Sequence, residues 1–397
     1  MKYKSNNITS NTCTLILGGG LNGYSAIREL YDHNLRDIIV FSERDDDIAR
    51  YSNKILYAKT VPATPQTLLT NINELRKKYS KIVAYPVTDT YLEAICEIAT
   101  DIESYCFTGI NPQNVDKFKT KMLQYEFCEK NGVSYPKTEP LKSYIKSDRK
   151  QLHYPLLIKP DVWDAKTLAE KLPKTIVLIS EEEFEKKRSY VEDILNKGIN
   201  LLITEVVPGD ETNIYGYVGY RTKSGEILGE WIWNKITQHP EGYGVFSTIK
   251  NEDSEDIVLI GRDISNKMNL TGLFEIELKY DSRDNTYKYI ETNYRTPMFH
   301  RLGHLLGVDL CYTQYLDACG KPSVCPEQRK GEVVHYVYFK YELINLIKRF
   351  GYIKKMYYNI FHSDKTYFAI WNIRDPMPCI YDIMYLAKAF IKRICKK

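Results

Sequence analysis

Apolar positions in the first hundred residues fall in short runs separated by amphipathic stretches. Cys13–Leu17, Ile38–Phe41 and Lys81–Val87 read as buried strands, and the stretches from Tyr24 to Leu30 and from Leu68 to Lys78 have helical spacing. Strand, turn, helix, strand at this pace predicts a parallel sheet with right-handed crossovers. From about Asn114 the pattern changes. A helix over Asp116–Asn131 is closed by Gly132, with Pro136 soon after. Strand-like runs follow at Leu156–Lys159, Ile176–Ile179, Leu201–Val207, Tyr215–Arg221, Ile227–Trp233, Phe274–Tyr280 and Lys288–Glu291. Pro208-Gly209, Ser224-Gly225 and the polar cluster Ser282–Asn285 mark turns between them. Beyond Pro322 the chain reads as helical and aromatic, broken by Asp375-Pro376-Met377-Pro378. The predicted class is α/β followed by α+β, in three units covering 1–115, 116–325 and 326–397.

Composition narrows the setting. A chain of 397 residues has room for two or three packed cores, and it carries no repeat and no low-complexity tract. Met1–Thr12 lacks the basic start and long apolar stretch of a signal peptide, and no later run is long enough to span a bilayer. Nine scattered cysteines without a C-x-x-C pair disfavour structural zinc and a disulfide scaffold, so a reducing cytoplasm is the expected setting. Charge is uneven. From Val333 onward there are 12 Lys/Arg against 4 Asp/Glu, a balance of +8, which leaves −4 for the rest of a chain whose net charge is +4. Ile380, Ile383, Met384, Ala387, Phe390, Ile391 and Ile394 recur at helical spacing, with Lys388, Lys392, Arg393, Lys396 and Lys397 on or near the other side. Such a helix suits an anionic membrane surface, and equally a C-terminal helix packed on the body with a solvated basic end. No basic-aromatic motif for nucleic acid is present.

The richest chemistry lies between Gly272 and Arg295. Gly-Leu-Phe-Glu-Ile-Glu-Leu-Lys-Tyr-Asp281 and Lys288-Tyr-Ile-Glu-Thr-Asn-Tyr-Arg295 read as two strands joined by a polar turn. Alternation puts Glu275, Glu277 and Lys279 on one face of the first, and Tyr289, Glu291, Asn293 and Arg295 on one face of the second. Pairing gathers carboxylates, an amide oxygen and a guanidinium. Hard oxygen donors without Cys or His suit Mg²⁺, which binds few protein carboxylates together with water and nucleotide phosphates. Taken alone, an ordinary solvated hairpin face fits as well.

These strands resemble the end of the ATP-grasp core, where one Glu and a following E-x-N-x-R hold magnesium. Further pieces match in the family's order: Val115-Asp-Lys117 leading to Asn131-Gly-Val-Ser-Tyr-Pro136, Leu156-Leu-Ile-Lys-Pro160, and Thr204-Glu-Val-Val-Pro-Gly209. Leu17-Gly-Gly-Gly20, Tyr51-Ser52 and Pro86-Val-Thr-Asp89 resemble the Rossmann-like domain preceding that core in amino-acid ligases. The resemblance spans roughly residues 13 to 320. It implies a two-lobed ATP-grasp core at 116–325 and an enzyme that spends ATP, with Mg²⁺, to join a carboxylate to an amine.

The same resemblance implies individual roles. Lys117 and Lys159 would neutralise phosphates. Glu205 and the Val207 backbone would hold adenine, and Asp210 or Glu211 the ribose. Glu277, Glu291 and Asn293 would carry magnesium, Arg295 would face the acyl phosphate, and Lys235 would add a phosphate contact. Arg301 is a candidate substrate contact; His300 and His304 read as structural. The Gly18-Gly-Gly-Leu-Asn-Gly23 loop is not taken as an NAD site, because Glu43, Asp45, Asp46 and Asp47 offer no single acid at the required spacing. One departure stands out: Asp161–Ser180 contains no glycine where the family has a phosphate-covering loop, leaving Lys166, Lys171 and Lys174 as substitutes.

The segment Ile370–Pro378 resembles the tails of ATP-grasp ligases of cell-wall and surface-polysaccharide assembly. It implies an envelope precursor as one substrate and peripheral contact with the inner membrane face. Ligases of this kind are often dimers, so a homodimer is expected. Competing expectations are a nucleotide sensor or scaffold with a degenerate site, and an ATP-grasp phosphotransferase or carboxylase. No biotinyl-lysine site or phosphohistidine swivelling domain is evident for the latter.

Overall fold

The computed structural model describes residues 11–147, 151–162, 167 and 169–394, the last six by backbone alone. Lys166 and the basic side chains expected beyond residue 388 lie outside the described part. The first sheet is fully parallel, in the order β3-β2-β1-β4-β5, built from β1 (Thr12–Leu17), β2 (Ile38–Ser42), β3 (Tyr57–Thr60), β4 (Lys81–Pro86) and β5 (Cys106–Phe107). Ile16 and Val40 enter one core and Leu15 and Ile39 another, so these strands are covered on both faces. That explains their unbroken apolar runs.

The turn after β1 is tight. Gly18 has φ +123°, and a Cβ there would lie 2.8 Å from side-chain atoms of both Val87 and Thr88. Gly23, one turn into the first helix (Leu21–Asp32), packs so closely that a Cβ would overlap the Gly18 carbonyl. Backbone cannot yield as a side chain can. Gly23→Ala is therefore expected to destabilise the protein by about 3 kcal/mol, read as a fall of several degrees in Tm. An unchanged melt would contradict this packing.

A four-stranded antiparallel sheet follows, in the order β6-β9-β7-β8, from β6 (Thr138–Pro140), β7 (Leu156–Pro160), β8 (Ile176–Leu178) and β9 (Leu201–Glu205). The third sheet has seven strands in the order β14-β13-β10-β11-β12-β15-β16. These are β10 (Ile214–Arg221), β11 (Ile227–His239), β12 (Val245–Asn251), β13 (Gly272–Asp281), β14 (Thr286–Asn293), β15 (Val334–Val337) and β16 (Lys365–Phe368).

Three expectations are corrected. The helix read over Asp116–Asn131 is two helices, Pro112–Lys117 and Lys121–Asn131, and Thr120 caps the second by accepting from Leu123 N at 3.2 Å. The segment after 325 is not only helical. β15 pairs with β12, and β16 with β15. Sequence missed this because the junction is polar. Buried Glu342 accepts from Thr237 and Thr248 hydroxyls at 3.0 and 2.9 Å, and from Asn359 Nδ2 at 3.0 Å. The same polar interior hid β12 and the second half of β11. Finally, a bulge opposite Glu277 and Leu278 shifts the register, so Tyr289 leaves the face of Glu291 and Asn293 for the apolar core.

Candidate active site

Register brings the acidic groups together. In the β13–β14 ladder Glu277 stands opposite Glu291, and Glu275 opposite Asn293. Their Ile276 and Leu278 neighbours enter the core, which fixes the carboxylates on the other face. Gln124 anchors β14 from below: its Oε1 accepts from Thr292 N at 3.0 Å and Tyr289 OH at 2.7 Å. Asn293 Nδ2 donates to Glu275 Oε2 at 3.2 Å.

Cations converge on the same face from three elements. Lys121 Nζ lies 2.9 Å from Glu291, and Lys235 Nζ of β11 lies 3.9 Å from Glu277. Lys159 Nζ of β7 donates to Tyr125 OH at 2.6 Å. Burial lowers the pKa of Lys174, in the glycine-free segment, with the charges of Glu291 and Glu277 acting in the other direction. The electrostatics are strained in both signs. Burial, then Glu277, pushes Glu275 up to about 8. Burial also raises Glu277, whereas Lys121 holds Glu291 down at about 2. Burial and the neighbouring Lys121 lower Lys159 to about 7. Buried carboxylates and lysines with pKa values shifted in opposite directions, gathered on one face, mark a candidate functional site.

Arg295, just past β14, makes a fork to Asp89 with nitrogen–oxygen distances of 2.7 and 3.1 Å. Asp89 opens the helix that leaves β4, so this pair ties the third sheet to the first. At the end of β9, Glu205 accepts from His153 N at 2.9 Å. Val207 is buried, and Asp210 caps the following turn through Thr212 N at 2.9 Å. Glu211 is buried with its Oε1 unpartnered by any hydrogen bond, 3.9 Å from Lys355. Lys279 Nζ donates to Gly209 O at 2.8 Å and so links this turn to the carboxylate strand.

Not every expected residue joins the cluster. Lys117 is exposed at the end of its helix, 5.0 Å from the Phe118 ring, and makes no ion pair among the described residues. Lys121, four residues on, occupies the position beside the carboxylates. Nothing in the sequence distinguished it from Lys119 and Lys117, because the helix break at Thr120 decides which lysine turns inward. Arg301 pairs with Asp32 at 2.9 Å, along the first helix and away from the carboxylates. Lys171 shows no contact with the carboxylates among the described residues.

Buried His300 meets Glu29 at 2.9 Å. His304 bridges Asp309 and Asp32; burial opposes its charge, but the bonds to Asp309 and Asp32 prevail and raise it to about 9. A raised folded pKa stabilises below the unfolded value near 6.5, and the gain is lost as pH rises through about 9. His304→Gln should thus lower Tm by about 2–6 °C at pH 6, with the difference shrinking above pH 9. A penalty that is flat from pH 6 to pH 10 would show that charge plays no part.

No family model matches the chain. It is 22% identical to the D-aspartate ligase of Enterococcus faecium (strain Aus0004) over 298 residues, 71% of this chain and 70% of that protein. An ADP complex of N5-carboxyaminoimidazole ribonucleotide synthetase superposes with a TM-score of 0.64 at 15% identity, covering 86% of each chain. The L-amino acid ligase from Bacillus licheniformis gives 0.60 at 11% identity, covering 82% of this chain and 79% of that one.

Proposed function

With the ATP-grasp fold that this chain shares with those ligases as its basis, we propose that it is an ATP-dependent ligase joining a carboxylate to an amine through an acyl phosphate. The observation that carries this is the pairing of Glu277 with Glu291 across one ladder, facing Lys121, Lys159 and Lys235. The donor set fits magnesium and a nucleotide: hard oxygens from Glu277, Glu291 and Asn293, with Lys121, Lys159 and Lys235 beside them. Bound there, magnesium supplies charge neutralisation between protein carboxylates and the triphosphate.

The chain's own groups account for the rest. Lys159, Lys121 and Lys235 hold phosphate oxygens and draw off charge as the γ-phosphoryl group moves to the substrate carboxylate. Lys174, whose charge feels Glu291 and Glu277, takes the role of the missing glycine-rich cover. The hinge turn, with Glu205, Val207 and Asp210 or Glu211, receives the adenosine. Arg295, released from or shared with Asp89, stabilises the oxyanion when the amine attacks. One substrate is an amino acid or sugar acid, and an envelope precursor is the setting the tail resemblance suggests.

A screen of ADP release across amino acids, D-aspartate included, against uronic acids and peptidoglycan precursors tests this. One pair should raise the rate at least about tenfold, and hydroxylamine should trap a hydroxamate from the carboxylate partner alone. Nucleotide binding with no stimulation by any pair would favour a sensor.

A second proposal concerns the last helix, Met377–Ile394. It turns Asp382 inward to Tyr338 and to Lys340, at 2.7 Å from the latter, and leaves Ile380, Ile383 and Met384 42–50% exposed. That outward apolar face, on a basic segment, supports contact with an anionic lipid surface. Ile383→Glu should abolish co-sedimentation with anionic vesicles; equal sedimentation of both proteins would end the idea.

A further inference from the structure

A second cleft lies at the opposite end of the first helix from the candidate active site. It has a volume of about 600 Å³ and is lined by Tyr31, Asp32, Asn53, Lys54, Arg301, Asn372 and Arg374. Four chain segments build it, and buried Asp375, on the last, pins the first two to its own. Its carboxylate accepts from Tyr24 OH at 3.0 Å, Ser52 Oγ at 2.6 Å and Asn53 N at 3.0 Å, while Asn53 Nδ2 donates to Arg374 O at 2.8 Å.

Cations outnumber anions in the cleft. Lys54 is only 8% exposed, yet among the described residues its ammonium has no carboxylate partner; it rests 4.0 Å from the centre of the Tyr31 ring. Burial lowers its pKa, with Asp32 acting in the other direction. Arg301 gives Nη2 to Asp32, and its Nη1 is buried without any partner. The Arg374 guanidinium is exposed at the mouth and likewise forms no ion pair among the described residues. A buried, unpaired ammonium and an orphaned guanidinium nitrogen are unfavourable unless something completes them. Three cationic side chains from three segments outnumber the carboxylates of Asp32 and Asp375 and suit an anion with several acceptor oxygens.

We infer that this cleft binds a phosphate group, held by Lys54, Arg301 and Arg374, with Asn53, Asn372 and the Tyr31 ring accommodating what the phosphate is attached to. It is a separate site from the one that handles the nucleotide. Asn22 donates to Thr296 O beside Arg295, whereas Arg301 meets Asp32 roughly ten residues further along the same helix, about 15 Å away. The phosphate is thus either a free effector or the distal phosphate of an extended substrate.

Calorimetry on the full chain, with ADP and Mg²⁺ saturating, tests the assignment using inorganic phosphate and glycerol 3-phosphate as probes. Wild type should bind at least one of them, and Lys54→Gln and Arg374→Gln should each weaken it at least about tenfold, with ADP affinity and Tm unchanged. Arg374 is exposed, so its variant tests the cleft without risk to folding. Tighter binding of the ester assigns the phosphate of a larger molecule, and tighter inorganic phosphate assigns a free effector; either supports the site. Equal affinity in wild type and both variants, or no binding up to about 10 mM, overturns it. Because no turnover is read, failure here is independent of failure of the ligase assignment.

Discussion

Glu291→Gln is expected to reduce ADP release by about 10³-fold, and Glu277→Gln by a similar factor, with the magnesium requirement shifted to higher concentration. Both substitutions keep the size of the side chain and remove one negative charge from the face opposite the lysines. The two positions are not equivalent in the free protein. Glu291 is the partner of Lys121 at 2.9 Å, while Glu277 has only Lys235 at 3.9 Å. Glu291→Gln therefore also frees Lys121, and its residual nucleotide affinity should be no lower than that of Glu277→Gln. Full activity in either variant at ordinary magnesium would remove the metal role from this ladder. Melting curves for each variant separate loss of chemistry from loss of fold.

The second large effect concerns two lysines four residues apart. Lys121→Met should lower turnover by about 10²-fold, whereas Lys117→Met should stay within about twofold. Lys121 pairs with Glu291 at 2.9 Å, its charge acts on Lys159, and it is the main cause of the low pKa of Glu291. Lys117 faces solvent beside Phe118. Steady-state ADP release with each variant decides between them. The reverse order would mean that the helix break at Thr120 does not select the inward lysine, and the phosphate assignment would return to Lys117.

Much of this was legible from residue order. Parallel strands covered on both faces leave unbroken apolar runs, so β1, β2 and β4 were readable within a residue or so of their observed ends. Alternation along Gly272–Asp281 separated carboxylates from core without any fold knowledge. In contrast, β12, β15 and β16 escaped notice because their buried partners are polar. Glu342 and Asn359 bond each other and Thr237 inside the protein, Asn345 bonds Gln238 O beside them, and a pattern of polar residues looks like surface until its partners are known.

By itself, then, the sequence determined the α/β beginning, the acidic ladder and the family-like order of lysine, hinge and carboxylate segments, because local periodicity and hydrogen-bonding chemistry are properties of neighbouring residues. Tertiary structure alone decided three things. A one-residue bulge sent Tyr289 inward, a capped break in a helix brought Lys121 rather than Lys117 to the carboxylates, and Asp375 drew the tail against Lys54 to form a second cationic cleft. Each depends on contacts between segments far apart in the chain, where packing and charge settle what spacing leaves open.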